Sequence, residues 1–251
     1  TSRGLGDVYK RQQPLPYPTD MDKEILERWQ SALREVARPE KVKILQSFFK
    51  TGPGEYAEGD VMIGVTVPDN RKISREFHDA PAAVISAMLD SEIHEFRLAG
   101  LLALVRAYTK ASPDPQRRED IFNMYMACVA RCNNWDLVDL SAPYILGPEI
   151  AAGRHLADHS ALSASPLIWA RRIAVVSTLH PVMKHRQTAL ALGQCHLHIA
   201  DTEPLMHKAV GWVLREVGKK DLGAMLDFLD THIGVITATT LSCLLYTSDA
   251  A

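Results

Sequence analysis
From Asp20 to His232 the chain falls into stretches of helical length and period, parted by short turns built on Pro, Gly, Asp or Ser. That pattern constrains the fold more than any other feature. Asp20–Ala37 spaces Ile25, Leu26, Trp29, Leu33 and Val36 as an amphipathic helix, and Pro39 opens the next, through Phe48 and Phe49. Further helices are predicted at Asp69–His78, Pro81–Leu89, Ile93–Thr109, Pro115–Cys132, Leu137–Ile145, Pro166–His180, Arg186–His196, Pro204–Val217 and Leu222–His232. Gly147-Pro148 and Pro181 are read as turns between them. Val61–Val67 has strand-like composition but no partner strand, and Pro68 closes it at a helix start, so it is read as an extended connection. The spacing from Asp139 to Arg172 is 33 residues and from Arg172 to Trp212 is 40. Such separations suggest stacked helix pairs of the HEAT or armadillo sort, an all-α superhelical array with a concave face; a plain helical bundle is the alternative.

The two ends are set apart from this reading. Asp7-Val8-Tyr9-Lys10-Arg11-Gln12 can be encoded by GATGTGTATAAGAGACAG. The reverse complement, read in a shifted frame and completed by one T, encodes Cys243-Leu244-Leu245-Tyr246-Thr247-Ser248. An adapter joined to both ends of a DNA fragment accounts for that symmetry. Residues 1–12 and 243–251 are therefore expected to be adapter-derived and to stay out of the core, leaving 13–242 as the folding domain with its C-terminus truncated.

The formal net charge is −2; setting aside Arg3, Lys10, Arg11, Asp7 and Asp249 removes three bases and two acids and leaves −3. A nucleic-acid binder of this composition must segregate its charge onto one face. No apolar run approaches the roughly 18 residues that span a membrane. Cys128 and Cys132, four apart in a helical run, read as buried thiols. Cys195-His196-Leu197-His198 lacks a second ligand cluster, so no metal site is assigned. The glycine-rich stretch Lys50–Asp60 lacks the spacing of a phosphate-cradling loop.

The chemistry-bearing stretch is Asn133-Asn134-Trp135-Asp136-Leu137-Val138-Asp139. With Asn134 as cap, Trp135 and Asp139 lie four apart on one helix face. Asp136 reads as a first-turn acid favoured by the helix dipole. Later, Lys208, Trp212 and Arg215 form one stripe of a helix while Val210, Val213, Leu214 and Val217 form its apolar stripe. Trp29 reads as core, as does Trp169 beside Ile173 and Val176.

Taken in order, Lys50-Thr51-Gly52-Pro53-Gly54-Glu55-Tyr56, Gly64-Val65-Thr66-Val67-Pro68, Asn134-Trp135-Asp136-Leu137-Val138-Asp139, Ile168-Trp169-Ala170-Arg171-Arg172 and Lys208–Glu216 resemble the DNA alkylation repair family of bacterial glycosylases, the AlkD type. The matches run from about Val42 to Thr240. The resemblance implies a HEAT-like array that removes 7-methylguanine and 3-methyladenine from duplex DNA without a cofactor. It implies a cytoplasmic, monomeric protein that associates with the nucleoid when bound to DNA. By motif, Trp135, Asp139, Arg172 and Trp212 would be the active-site residues facing one groove, with Lys208, Arg215, Arg171 and Phe48 toward DNA. Where the family often has Tyr near the end of its second helix, this chain has Phe48, a ring without the hydroxyl.

Those residue types suit the reaction. A purine alkylated at N3 or N7 is cationic and leaves neutral, so positive charge develops on the sugar and little acid catalysis is needed. One carboxylate about 4 Å away, at an effective dielectric near 20, supplies about 4 kcal/mol. Realised mainly in the transition state, that is worth roughly three powers of ten in rate. A non-catalytic scaffold that binds damaged or branched DNA, or a protein, is the alternative; an acid facing a polyanion favours the enzyme.

Overall fold
A computed structural model describes residues 19–245, and these are mostly helical. They form two compact units, residues 19–141 and 142–245.

In the first unit the helices are α1 (Asp20–Glu35), α2 (Pro39–Phe49), α3 (Val67–Ser74), α4 (Ala82–Leu89), α5 (His94–Lys110), α6 (Pro115–Ala127) and α7 (Trp135–Asp139). A capping box starts α1, the Thr19 side chain accepting from the Asp22 backbone while Asp22 accepts from the Thr19 N–H at 2.8 Å. Its Trp29 is fully buried and stacks on Phe77 with ring centroids 4.9 Å apart. At the centre lies α5, against α3, α4, α6 and α7, with Phe96, Leu98, Leu101 and Leu104 all buried.

Residues 61–66 run extended, as the sequence pattern suggests, with a single β-bridge, between Val61 and Ile93. Three successive N–H groups of the segment are satisfied from a side chain instead. The buried Glu95 carboxylate accepts from the N–H groups of Ile63 (3.0 Å), Gly64 (2.8 Å) and Val65 (3.3 Å). Gly64 is required there twice over: its φ is +90°, and a Cβ would stand 2.1 Å from the Arg38 carbonyl oxygen. Asn70 donates to the Glu95 carbonyl at 2.7 Å and fastens α3 to the same point.

The second unit comprises α8 (Ala142–Ala151), α9 (Leu156–Ser163), α10 (Ile168–Ser177), α11 (Leu179–His185), α12 (Ala189–His198), α13 (Pro204–Lys220), α14 (Leu222–His232) and α15 (Ala238–Leu245). Here α13 is central, touching α10, α11, α12, α14 and α15. Its Val210, Val213, Leu214 and Val217 are fully buried, the apolar stripe expected from their spacing.

The helix boundaries depart from the sequence reading in several places. The single helix expected at Leu137–Ile145 is two, α7 and α8. Ser141 Oγ donates to the Leu137 carbonyl at 2.5 Å, and Pro143 has no N–H with which to continue the ladder. Pro148 is not a turn but lies inside α8; the carbonyl it leaves without a helical donor belongs to Tyr144, an exposed residue where water can serve. Pro181 is the third residue of α11, in a first turn whose N–H groups need no helical acceptor. Finally, α9 and α15 had no counterpart in the pattern. Of the C-terminal residues expected to stay out of the core, Leu245 is exposed, but Leu244 is buried and Cys243 approaches Gly211 of α13. Val8, Tyr9 and the rest of residues 1–12 lie outside the described residues.

Candidate active site
The short helix α7 is set in place by its cap. Asn134 Oδ1 accepts from the Trp135 N–H at 2.8 Å, and Asn134 Nδ2 donates to the Phe49 carbonyl at 3.1 Å. This fastens the start of α7 to the end of α2 and brings three rings together. Trp135 stacks on Phe49 (centroids 5.4 Å, 27°) and takes Phe48 edge-on (5.5 Å, 80°). Phe49 is buried, whereas Phe48 is 60% exposed. The resemblance puts Phe48 toward DNA, without the family's frequent hydroxyl; here the exposed ring also meets Trp135 edge-on and helps to seat it.

Trp135 and Asp139 are both half-buried and, four residues apart, line one cleft of about 630 Å³. Ile44, Phe48, Phe49 and Val65 make most of its wall apolar, and Lys41 and Asp136 also reach it. The wall at Val65 belongs to the extended segment that Glu95 holds. Asp139 also adds its negative charge to the surroundings of the buried Tyr125, where burial first and neighbouring thiols and carboxylate next push the phenol up.

Asp136 is the first-turn acid of α7 that the sequence reading expects, and it is also buried, accepting from His94 Nε2 at 2.9 Å. The other His94 nitrogen, Nδ1, meets Asp60 at 3.2 Å, and Arg97 reaches the same Asp60 at 2.7 Å. Asn133 donates to Asp60 at 2.8 Å. Burial alone would pull the His94 imidazole down. The Asp136 charge, then hydrogen bonds to Asp136 and Asp60, outweigh burial and the nearby Arg97, raising it from 6.5 to about 9. At neutral pH it is an imidazolium between two carboxylates. For Asp60, burial would raise the carboxyl, but the His94 bond, the Arg97 charge and the Asn133 bond hold it below the ordinary range.

Sequence reasoning missed this cluster of Asp60, His94, Arg97 and the neighbouring Glu95. One signal was available: three ionisable residues in four, His94, Glu95 and Arg97, head an otherwise apolar helix. Ionisable groups buried at such a place must find partners.

In the second unit, Trp212 is half-buried and Lys208 exposed on α13, on the face away from its apolar stripe. Arg215, expected to continue their stripe, turns toward α15, with Nη1 3.4 Å from the Cys243 carbonyl. Arg172 is only 4% exposed and donates from Nη1 to the Leu205 carbonyl at 2.5 Å, bracing α10 against α13. Arg171, which the resemblance puts toward DNA, is tied down within the unit. It pairs with Asp201 at 2.8 Å and donates to the Pro166 carbonyl at 2.8 Å. Trp169 is core, as its spacing with Ile173 and Val176 implies. Cys128, Cys132 and Cys195 are buried free thiols. Among the described residues no three His, Cys, Asp or Glu side chains group as a metal site, and no helix is long and apolar enough to cross a membrane.

Fold and site together define an all-α helical-repeat protein with an aromatic cleft carrying a carboxylate. The model of the DNA alkylation repair enzyme family matches residues 29–242, and the chain belongs to that family. Among solved structures, one from Enterococcus faecalis described as a predicted DNA alkylation repair enzyme superposes with a TM-score of 0.64. It is 17% identical, over 86% of this chain and 98% of that one, a likeness of fold. A comparison with curated proteins finds no match. Membership ties the chain to the repair of alkylated DNA, and so to contact with DNA.

Proposed function
We propose that the protein is a DNA glycosylase that excises cationic alkylated purines, 7-methylguanine and 3-methyladenine, from duplex DNA, the first step of base excision repair. The observation that carries this reading is the pairing of Trp135 with Asp139 on one face of α7, at an apolar cleft. A carboxylate at a site for a polyanion costs binding energy, and it is best used where positive charge appears during reaction. Asp139 stabilises the cationic sugar as the bond to the base breaks and its electron pair leaves with the base, and it orients the water that adds to the sugar. The apolar wall lowers the local dielectric, which strengthens that attraction. Trp135 offers a flat face to the sugar, with a cation–π contribution as charge develops. Phe48 supplies no hydroxyl and acts by packing. Trp212 and Arg172 enter the proposal through the matching motifs, and Lys208 as an exposed phosphate contact. The burial of Arg172 favours a bracing role over a direct phosphate contact. The protein is proposed to act as a monomer in the cytoplasm, at the nucleoid.

The test is release of free 7-methylguanine from methylated duplex DNA, followed by chromatography. Release that depends on Asp139 supports the enzyme. Tight binding of methylated duplex with no release, at any pH or salt, would leave a DNA-binding scaffold as the better description.

A further inference from the structure
We propose that His94 is a positioning residue for excision: clamped between Asp60 and Asp136, it fixes the seat of Phe49, Trp135 and α7, and so makes the active cleft answer to pH. This rests on the glycosylase reading of the cleft.

The geometry is a continuous column. His94 lies against Phe49 with ring centroids 4.9 Å apart and a 33° tilt, and Phe49 in turn stacks on Trp135. The same imidazolium donates from Nε2 to Asp136, on α7 between Trp135 and Asp139. His94 therefore touches the proposed site by two routes, through the ring stack and through the α7 backbone. His94 stands at the cleft lining but is almost wholly buried, so its action is through those neighbours.

The clamp needs both N–H groups. Neutral imidazole carries one, so loss of the proton turns a nitrogen lone pair toward one of the carboxylates. For Asp136 the consequence is severe. Its Oδ2 is the oxygen that His94 serves, and its buried Oδ1 has no hydrogen-bond partner among the described residues. Without His94 the carboxylate would be buried with no donor, a state that a five-residue helix relieves by moving. Movement of α7 carries Trp135 and Asp139 with it.

The charged groups around His94 are few. Asp60 faces it from the end of the glycine-rich loop, Asp136 from α7, and Arg97 from the next turn of α5. Arg131 lies beyond Arg97, and the Glu95 carboxylate is engaged by residues 63–65. Asp60 and Asp136 favour the proton and Arg97 opposes it, which places the transition at about 9.

The experiment is a single-turnover excision profile from pH 6 to 10, set beside an NMR titration of the His94 imidazole and of the Trp135 indole N–H in the intact protein. Excision should fall on the alkaline side with the midpoint of the His94 titration, the Trp135 resonance should move with it, and duplex affinity should hold within about twofold. His94→Gln should slow excision roughly tenfold at neutral pH, as expected for small misplacement of reacting groups, and should lose the alkaline limb. Should His94→Gln fail to fold, Asp60→Asn keeps the histidine and removes one carboxylate, and both midpoints should move down together. An imidazole that titrates near its ordinary value, a Trp135 resonance indifferent to it, or an alkaline limb that survives His94→Gln would overturn the inference. Absence of excision by the intact protein at every pH would instead overturn the glycosylase reading, while the two NMR titrations would still decide the clamp.

Discussion
Asp139 and His94 show how differently two ionisable residues of one cleft are used. Asp139 is half-exposed at the cleft, whereas His94 is buried beneath it. Replacing Asp139 by Asn keeps shape and removes charge. Asp139→Asn should therefore slow excision by up to about three powers of ten while duplex affinity holds or tightens, an interaction lost mainly in the transition state. Excision at the unchanged rate, measured in single turnovers, would remove Asp139 from the mechanism. His94 has a thermodynamic signature as well. Its pKa is raised on folding, from 6.5 to about 9, so the native state holds the proton more tightly. The resulting stability is fully present below pH 6.5 and is lost as pH rises through 9. The loss is on the order of 3 kcal/mol. Urea midpoints for the intact protein should fall across that window, and His94→Gln should show no such fall. Asp60 works with the opposite sign: held low in the fold, it contributes stability that is lost only at acid pH.

Among elements, the extended segment 61–66 is the one least explained by its own residues. It has no strand partner beyond one bridge, yet it forms a wall of the cleft at Val65 and Thr66. Glu95 replaces the missing strand by accepting from three successive N–H groups, and charge-assisted bonds of this kind are stronger than neutral ones. Glu95→Gln removes the charge that these bonds share and turns an NH₂ toward the Ile63 N–H, which meets both carboxylate oxygens. It should destabilise the protein by about 2 kcal/mol. In hydrogen exchange, the amides of Ile63, Gly64 and Val65 should lose protection ahead of α5. Equal protection in variant and parent would show that the segment is held by something else. The same element explains the Gly64-Val65-Thr66-Val67-Pro68 motif. Glycine is needed for the positive φ and the Arg38 contact, Thr66 caps α3, and Pro68 sits in its first turn.

At the scale of the molecule the question is how a chain of net charge −2 meets DNA. Arg171, Arg172 and Arg215 have partners within the second unit, while Lys208 is exposed. Affinity for duplex should still fall with salt, with a log–log slope of about −0.9 for each phosphate contacted. Lys208→Ala should reduce that slope by about one such unit, and Arg171→Ala should leave it nearly unchanged while lowering stability. A slope that falls equally for both variants would mean that Arg171 leaves Asp201 when DNA binds.

Periodicity alone determined that this chain is helical and which stripes are core, because a 3.6-residue repeat of apolar side chains has few other ways to be buried. Trp29, Trp169 and the stripe Val210, Val213, Leu214 and Val217 were legible on that ground. The spacing of Trp135 and Asp139 was equally local, since residues four apart on a helix share a face. Contacts between distant residues were not legible. His94 lies 42 positions from Asp136 and 34 from Asp60, and nothing in either neighbourhood announces the other. Proline misled at positions 148 and 181, because its cost depends on whether the lost donor had a function, and neighbours decide that. Arg171 could be placed toward DNA by motif, but only the fold shows it paired with Asp201, 30 positions away. Period is set by the backbone, residue by residue; partnership is set by which faces the folded chain presses together.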